Sequence, residues 1–181
     1  MGIIYVGVDN GVSGAIAYYY NDKMYVMDIP IKNVQNYTKK VEFINKIDFV
    51  ELKKIFHELL SYSQIKVLWE RPFCNPMMFK ATLSSMLSYQ TTLDVLESLQ
   101  IPYEMIDSKV WQTKLLPKGV YKITQDKNGK NRIKADKKVL KKASIDTTNR
   151  LYPYLEIKKD GQADAVMICE YLRQKEQGLI K

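Results

Sequence analysis

The first thirty residues alternate or run apolar without helical spacing. "IIYVGVDNGVSGAIAYYYNDKMYVMDIP" divides into three stretches: 3–8, closed by Asp9, then 15–20 and 23–29. "NGVSG" and "ND" separate them as turns, and Pro30 stops the last. β-Branched and aromatic residues dominate, so these stretches predict three consecutive antiparallel strands. The period changes in "DFVELKKIFHELLSYS", where Phe49, Leu52, Ile55, Phe56, Leu59 and Leu60 fall at helical spacing. Asp48, with Glu51 three residues on, supplies a capping-box start. "IKVLWERP" is a short buried strand ending at Pro72. "PMMFKATLSSMLSYQTTLDVLESLQ" predicts a long helix with a core stripe at Met78, Thr82, Met86, Tyr89, Leu93 and Leu96. "IPYEMID" is a further strand, and Asp107 or Ser108 caps a helix running to about Leu116. "PKGVYKITQDKNGKNRI" is polar and turn-rich, a loop or hairpin. A helix from about Lys134 to Leu151 follows, and the last begins near Gly161. A meander followed by alternating strands and helices gives an α/β protein, a mixed sheet with helices on its faces. Neither a repeat nor a linker divides residues 1–181.

The last helix poses a question of charge. "KKDGQADAVMICEYL" (158–172) is largely apolar, yet Asp160 and Asp164 sit four apart at its front edge. Like charges at that spacing lie roughly 5–6 Å apart and repel by a few tenths of a kcal/mol. Something positive should compensate, either the helix N-terminus or an ion. Asp160 reads equally as an N-cap, and Asp164 as a charge favoured by the helix dipole. Two more acids end core strands. Asp9 closes the first strand, followed by Asn10, Gly11 and Gly14, and "DNG" alone is ordinary turn chemistry. Glu70 closes "VLW", where Arg71 could neutralise it. Together these acids suit two-metal phosphodiester hydrolysis. Magnesium takes oxygen ligands, and two ions about 3.5–4 Å apart need several carboxylates around them. No histidine base is required, and the lone histidine, His57, is given no role.

Charge sharpens this picture. The net charge is +8, but residues 109–142 hold twelve Lys or Arg against Asp126 and Asp136, while the remainder holds 16 basic and 18 acidic residues. A concentrated basic segment points to a polyanion rather than a neutral partner. The two cysteines, Cys74 and Cys169, exclude a disulfide framework or a zinc site and suit a reducing compartment. There is no signal-peptide pattern and no bilayer-spanning run, so the expected location is cytoplasmic, the host cytoplasm if the chain is phage-encoded.

"GVDNGVSGAIA", "VLWERPF" and "DGQADA" together resemble the RuvC-type Holliday junction resolvases of the RNase H-like superfamily, over about Gly2 to Leu172. "DGQADAVMICEYL" is closer to the phage, poxvirus and mitochondrial branch than to the bacterial one. The resemblance implies an RNase H-like fold with a mixed five-stranded sheet, and a homodimer that nicks a four-way junction with paired cuts. It also implies two Mg2+ ions per active site, with Mn2+ as a substitute. Asp9, Glu70 and Asp164 match the metal-binding acids. Phe73 matches an aromatic that the bacterial enzymes place at the junction centre, and Lys137 a basic residue near the active site. The bacterial fourth ligand falls on Gly161, which cannot bind metal, so Asp160 becomes the candidate. The long segment 117–133 reads as a DNA-binding insertion. The expected DNA-binding residues are Phe73, Lys109, Lys114, Lys118, Lys122, Lys130, Arg132, Lys134 and Lys137. The dimer is expected on the long helix, where Leu83, Leu87, Ser84, Ser85 and Ser88 widen the packing surface. Competing readings are an actin-like ATPase, for which 181 residues are too few, a non-catalytic junction binder, and a nuclease of this fold acting on forks, flaps or RNA–DNA hybrids.

Overall fold

β1 (Ile3–Asp9) runs through the middle of a five-stranded sheet. In this computed structural model, residues 2–36, 39, 41–72, 74–125, 129 and 131–180 are described, without the side chains of 122–125 and 131–134. Ile4, Val6 and Val8 are buried on one face of β1, as a period of two requires. β2 (Ala15–Tyr20) and β3 (Lys23–Asp28) extend the sheet antiparallel from one side. Asn21 and Asp22 join them with φ of 48° and 59°, the left-handed pair that a two-residue hairpin turn needs.

A second hairpin follows, which the sequence pattern does not foretell: β4 (Ile31–Asn36) with β5 (Glu42–Ile47). Only Ile47 in it is buried. With almost no inward face, the hairpin carries no periodic signal. α1 (Phe49–Tyr62) has its predicted cap, since the Asp48 carboxylate accepts from the Val50 N–H at 3.0 Å. The Asp48 N–H donates instead to the Pro30 carbonyl at 2.8 Å, tying the helix to the strand end. β6 (Gln64–Glu70) then pairs parallel with β1.

α2 (Phe79–Ser98) crosses over to β7 (Tyr103–Ile106), which pairs parallel with β6 and completes the order β3-β2-β1-β6-β7. The fold is the expected mixed five-stranded sheet flanked by helices. The core stripe foreseen for α2 holds only in its second half. Val95 and Leu96 are buried and Tyr89 and Leu93 pack on the core, but Met78 and Met86 are exposed. The first half runs between two clefts instead of lying on the sheet.

α3 (Ser108–Leu115) follows β7 with Asp107 at its N-cap position, where the carboxylate makes no capping bond. In the segment read as an insertion, β8 (Lys122–Gln125) pairs antiparallel with β9 (Asn131–Lys134). Because β9 extends to Lys134, α4 (Lys137–Leu151) starts later than expected, capped by Asp136 accepting from the Lys138 N–H at 2.7 Å. α5 (Asp160–Glu176) lies across β1 and β2 on the face opposite α1 and α2. Cys169, in its middle, is buried and free. No helix among the described residues is long and apolar enough to cross a membrane.

Gly7 sets how closely α5 approaches. A Cβ there would stand 2.2 Å from the Cys169 nitrogen and 2.4 Å from the Ala165 carbonyl oxygen. These are backbone atoms, so relief requires the whole helix to move. Gly7→Ala should therefore destabilise the fold by at least the ~1–3 kcal/mol usual for overpacking. Urea unfolding checks this, with a lowered midpoint expected.

Candidate active site

β1 and β6 run parallel with Val8 opposite Trp69, so the two strands end side by side in Asp9 and Glu70. The carboxyl edge of parallel strands is where open α/β sheets place ligands. A cleft of about 370 Å³ opens there, walled by Asp9, Asn10, Glu70, Arg71, Asn75, Thr82, Ser85 and Lys137 among others. The first turn of α5 comes down behind it. A Cβ on Gly161 would lie 2.5 Å from the Ser13 carbonyl oxygen and 3.1 Å from the Asp9 carboxylate. Only glycine lets the helix rest there, which explains physically why position 161 carries no acid.

Each acid is held differently. The Trp111 indole N–H, from α3, donates to Glu70 at 3.2 Å. The Ser144 hydroxyl, from α4, donates to Asp164 at 2.6 Å. Asp160 pairs with Lys141 of α4 and accepts the Gly161 backbone N–H. It is the first helical residue, the N-cap position being Lys159. Arg71 does not neutralise Glu70; its guanidinium lies 3.7 Å from Asp107.

Electrostatics follow from this arrangement. Burial, then the charges of Asp164, Glu70 and Asp160, push Asp9 well above the usual carboxylate range. Burial lifts Glu70 to about 7 against the Trp111 bond. Burial also lifts Asp164 to about 6, with Ser144 opposing and Asp160 adding to the rise. Asp160 moves down, because Lys141 bonds its carboxylate. The question raised by the two aspartates thus has two answers: Asp160 is compensated by Lys141 and the backbone, whereas Asp164 accepts the Ser144 hydroxyl and feels Lys141 only at a distance.

All four acids are hard oxygen donors of the kind magnesium and manganese take. The three buried ones are raised chiefly by burial and secondarily by neighbouring acids, so a cation beside them would favour their ionised forms. As the side chains stand, no three acidic, imidazole or thiol groups among the described residues close round a single point. The donor set fits such an ion in its chemistry, as oxygen donors carried by neighbouring elements.

The structure brings Lys137 to the acids, along the cleft wall. Lys109 and Lys114 are exposed on α3, the helix that bonds Glu70, and Lys118 is exposed just beyond it. Phe73, Lys130 and the side chains of Lys122, Arg132 and Lys134 lie outside the described residues. Trp111, Lys141 and Ser144 are site residues that the sequence did not single out. A signal existed on α4, whose buried positions are Ser144, Thr147 and Thr148 rather than leucines. A helix with a small polar buried face is built to meet polar groups.

No protein-family model matches the sequence, and no curated protein matches it. Solved structures do. One is T. thermophilus RuvC in complex with Holliday junction substrate, 9% identical with a TM-score of 0.59, the match covering 98% of this chain and 97% of that one. Another is the Thermus thermophilus RuvC structure, 11% identical with a TM-score of 0.51, covering 97% and 96%. At such identity the likeness shows a shared fold, the RNase H-like fold of RuvC, along nearly the whole of both chains.

The raised acids predict a pH effect. Asp9, Glu70 and Asp164 bind protons more tightly folded than unfolded, so their contribution to stability is full below the ordinary carboxylate range near pH 4. It is lost as pH rises through about 6 for Asp164 and about 7 for Glu70. In chelator, the melting temperature should fall between about pH 5 and pH 8, and Asp164→Asn should flatten that fall. Added Mg2+ should raise the melting temperature at the upper pH and much less at the lower. Differential scanning fluorimetry reads all three.

Proposed function

We propose that this chain is a structure-selective endodeoxyribonuclease that resolves Holliday junctions and related branched DNA by metal-dependent phosphodiester hydrolysis. The observation that supports the reading is that Asp164 and Glu70, from two other elements, lie near enough to Asp9 to raise its pKa, with Lys137 on the wall of the cleft that Asp9 and Glu70 line. A pure DNA binder would gain nothing from carboxylates placed where phosphate must sit. Divalent cations held there would activate water and offset the charge of the scissile phosphate. Asp9, Glu70 and Asp164 would hold them, with Asp160 as the fourth candidate once it leaves Lys141. Trp111 and Ser144 fix the orientation of Glu70 and Asp164. Lys137, on the cleft wall, attracts the phosphodiester, and Lys109, Lys114 and Lys118 extend that attraction along α3. Mg2+ is the expected ion, and Mn2+ has the same ligand preference.

Paired cuts need two active sites in fixed relation, which a symmetric dimer supplies. Met77, Met78, Phe79, Leu83, Met86 and Leu87 expose a continuous apolar stretch over the first half of α2 and the turn before it, which supports that surface as the contact. The fold of the RuvC structures supports the four-way junction as substrate, and forks, flaps and hybrids are the second reading. "DGQADAVMICEYL" supports a place on the phage, poxvirus and mitochondrial side of the resolvases.

Four-way, fork, flap and linear duplexes incubated with Mg2+ and mapped on a gel test the reading. Symmetric nicks in the four-way junction are expected, abolished by chelator. Asp9→Asn, Glu70→Gln and Asp164→Asn should each lose cutting by several orders of magnitude while still binding junction, since removing negative charge does not weaken attraction to phosphate. A variant that cut at the normal rate would remove that residue from the ligand set. Met86→Glu should sediment as a monomer and lose paired nicking. Replacing Lys109, Lys114 and Lys137 by Ala should flatten the plot of log affinity against log salt, by about 0.9 for each duplex phosphate that is no longer neutralised.

A further inference from the structure

One face of α4 meets the start of α5 in an order of increasing freedom. Thr148, Ser144, Lys141 and Lys137 recur at helical spacing and so share that face. The Thr148 hydroxyl, fully buried, donates to the Ala163 carbonyl oxygen at 3.4 Å. The Ser144 hydroxyl, also buried, donates to Asp164 at 2.6 Å. One turn nearer the cleft, Lys141 pairs with Asp160. Lys137 comes last, on the cleft wall itself. A short hydroxyl thus holds Asp164, whereas a long flexible cation holds Asp160. The Lys141 and Asp160 side chains are 60% and 44% exposed, so water competes for their pair and it opens readily. The Lys141 charge acts on Asp160 most, then on Asp164 and Asp9. It is a positive charge set against the same aspartates that a metal ion would neutralise.

Resting on the nuclease reading above, we propose that Lys141 is the resident counter-ion of this acid cluster, and that a divalent cation reaches Asp160 only by exchange with the Lys141 ammonium. The two cannot share the carboxylate, because they repel each other. A lysine suits the exchange, being a compact, strongly hydrated charge on a flexible stem. An arginine would grip the carboxylate with two parallel bonds and yield less easily. Until the ion arrives, the lysine keeps Asp160 ionised and turned toward α4. The cost of displacing it lowers the cation affinity of the free protein. Once released, the ammonium lies one turn from Lys137, the residue that draws the phosphodiester to the cleft. Metal uptake and the basic face for DNA are thereby linked through one side chain.

The test is a calorimetric titration of the full chain with Mn2+ in the absence of DNA, beside thermal melting in chelator and in Mn2+. K141M should bind Mn2+ roughly threefold to tenfold more tightly than wild type, the scale of an exposed pair released and a nearby like charge removed. K142M removes the same charge from the next residue, about 100° round the helix, and should gain much less. In a D160N background the gain from K141M should shrink to that of K142M. K141R should bind Mn2+ no more tightly than wild type. In melting, K141M should lie slightly below wild type in chelator and gain more from Mn2+. Affinity in K141M equal to or weaker than wild type, or the same gain with and without Asp160, would overturn the proposal. So would a melting temperature that falls in chelator and gains no more from Mn2+ than wild type does, which would leave Lys141 a structural pair alone. If the wild-type chain binds no Mn2+, the metal-dependent reading fails and this inference falls with it. If it binds Mn2+ and K141M is no tighter, only the inference falls.

Discussion

The contact on which the rest depends is backbone against backbone, where α5 lies on β1. Gly7 in the middle of the strand, and Gly161 where the first turn of the helix meets the turn after β1, remove the side chains that would hold helix and sheet apart. The distances leave no slack, since at each position the nearest atom a Cβ would strike belongs to main chain. Ala163 and Ala165, both fully buried, extend the close packing along the helix. Its effect on chemistry is direct. A helix held farther off by a methyl group would carry Asp160 and Asp164 away from Asp9 and weaken their charge on it.

Like charges gathered in one cleft are unfavourable for the fold by themselves, and the surroundings show how this is managed. A hydroxyl from α4, an indole from α3 and an ammonium from α4 each meet one acid. Asp9 receives the least help, with burial and three neighbouring acids outweighing the pull of Lys141. Glu170 on α5 is the contrast within the same helix. It is buried too, but Arg173, Tyr152 and Gln174 all donate to it, and its pKa lies below the usual value. Within one helix, then, Glu170 has its charge met by several donors, whereas Asp164 accepts a single hydroxyl and is raised by burial.

Much of this was legible in the sequence because burial imposes periodicity. β1, β2 and β6 bury residues at alternate positions or in runs, β3 and β7 carry the β-branched and aromatic residues of strands, and Asp9, Glu70 and Asp164 stand out as acids at the ends of apolar elements. Where burial is one-sided or absent, the signal fades. β4 and β5 have hardly any inward face, so their pattern resembles a loop. The first half of α2 kept an apolar stripe that tertiary packing leaves uncovered, because the stripe records only that residues are apolar. Trp111 and Ser144 were hidden for another reason. Their roles are hydrogen bonds across 41 and 20 residues of sequence, and no local window holds both partners.

The chain has two tryptophans. Trp111 bonds Glu70, and Trp69 precedes Glu70 in β6 with its ring stacked on Tyr89 at 5.0 Å. Trp111 therefore emits beside the Glu70 carboxylate, whereas Trp69, one residue earlier in the strand, turns to the opposite face of the sheet. A change in the charge or orientation of Glu70 acts directly on one of the two emitters. The protein carries its own optical probe at the cleft, readable without a label.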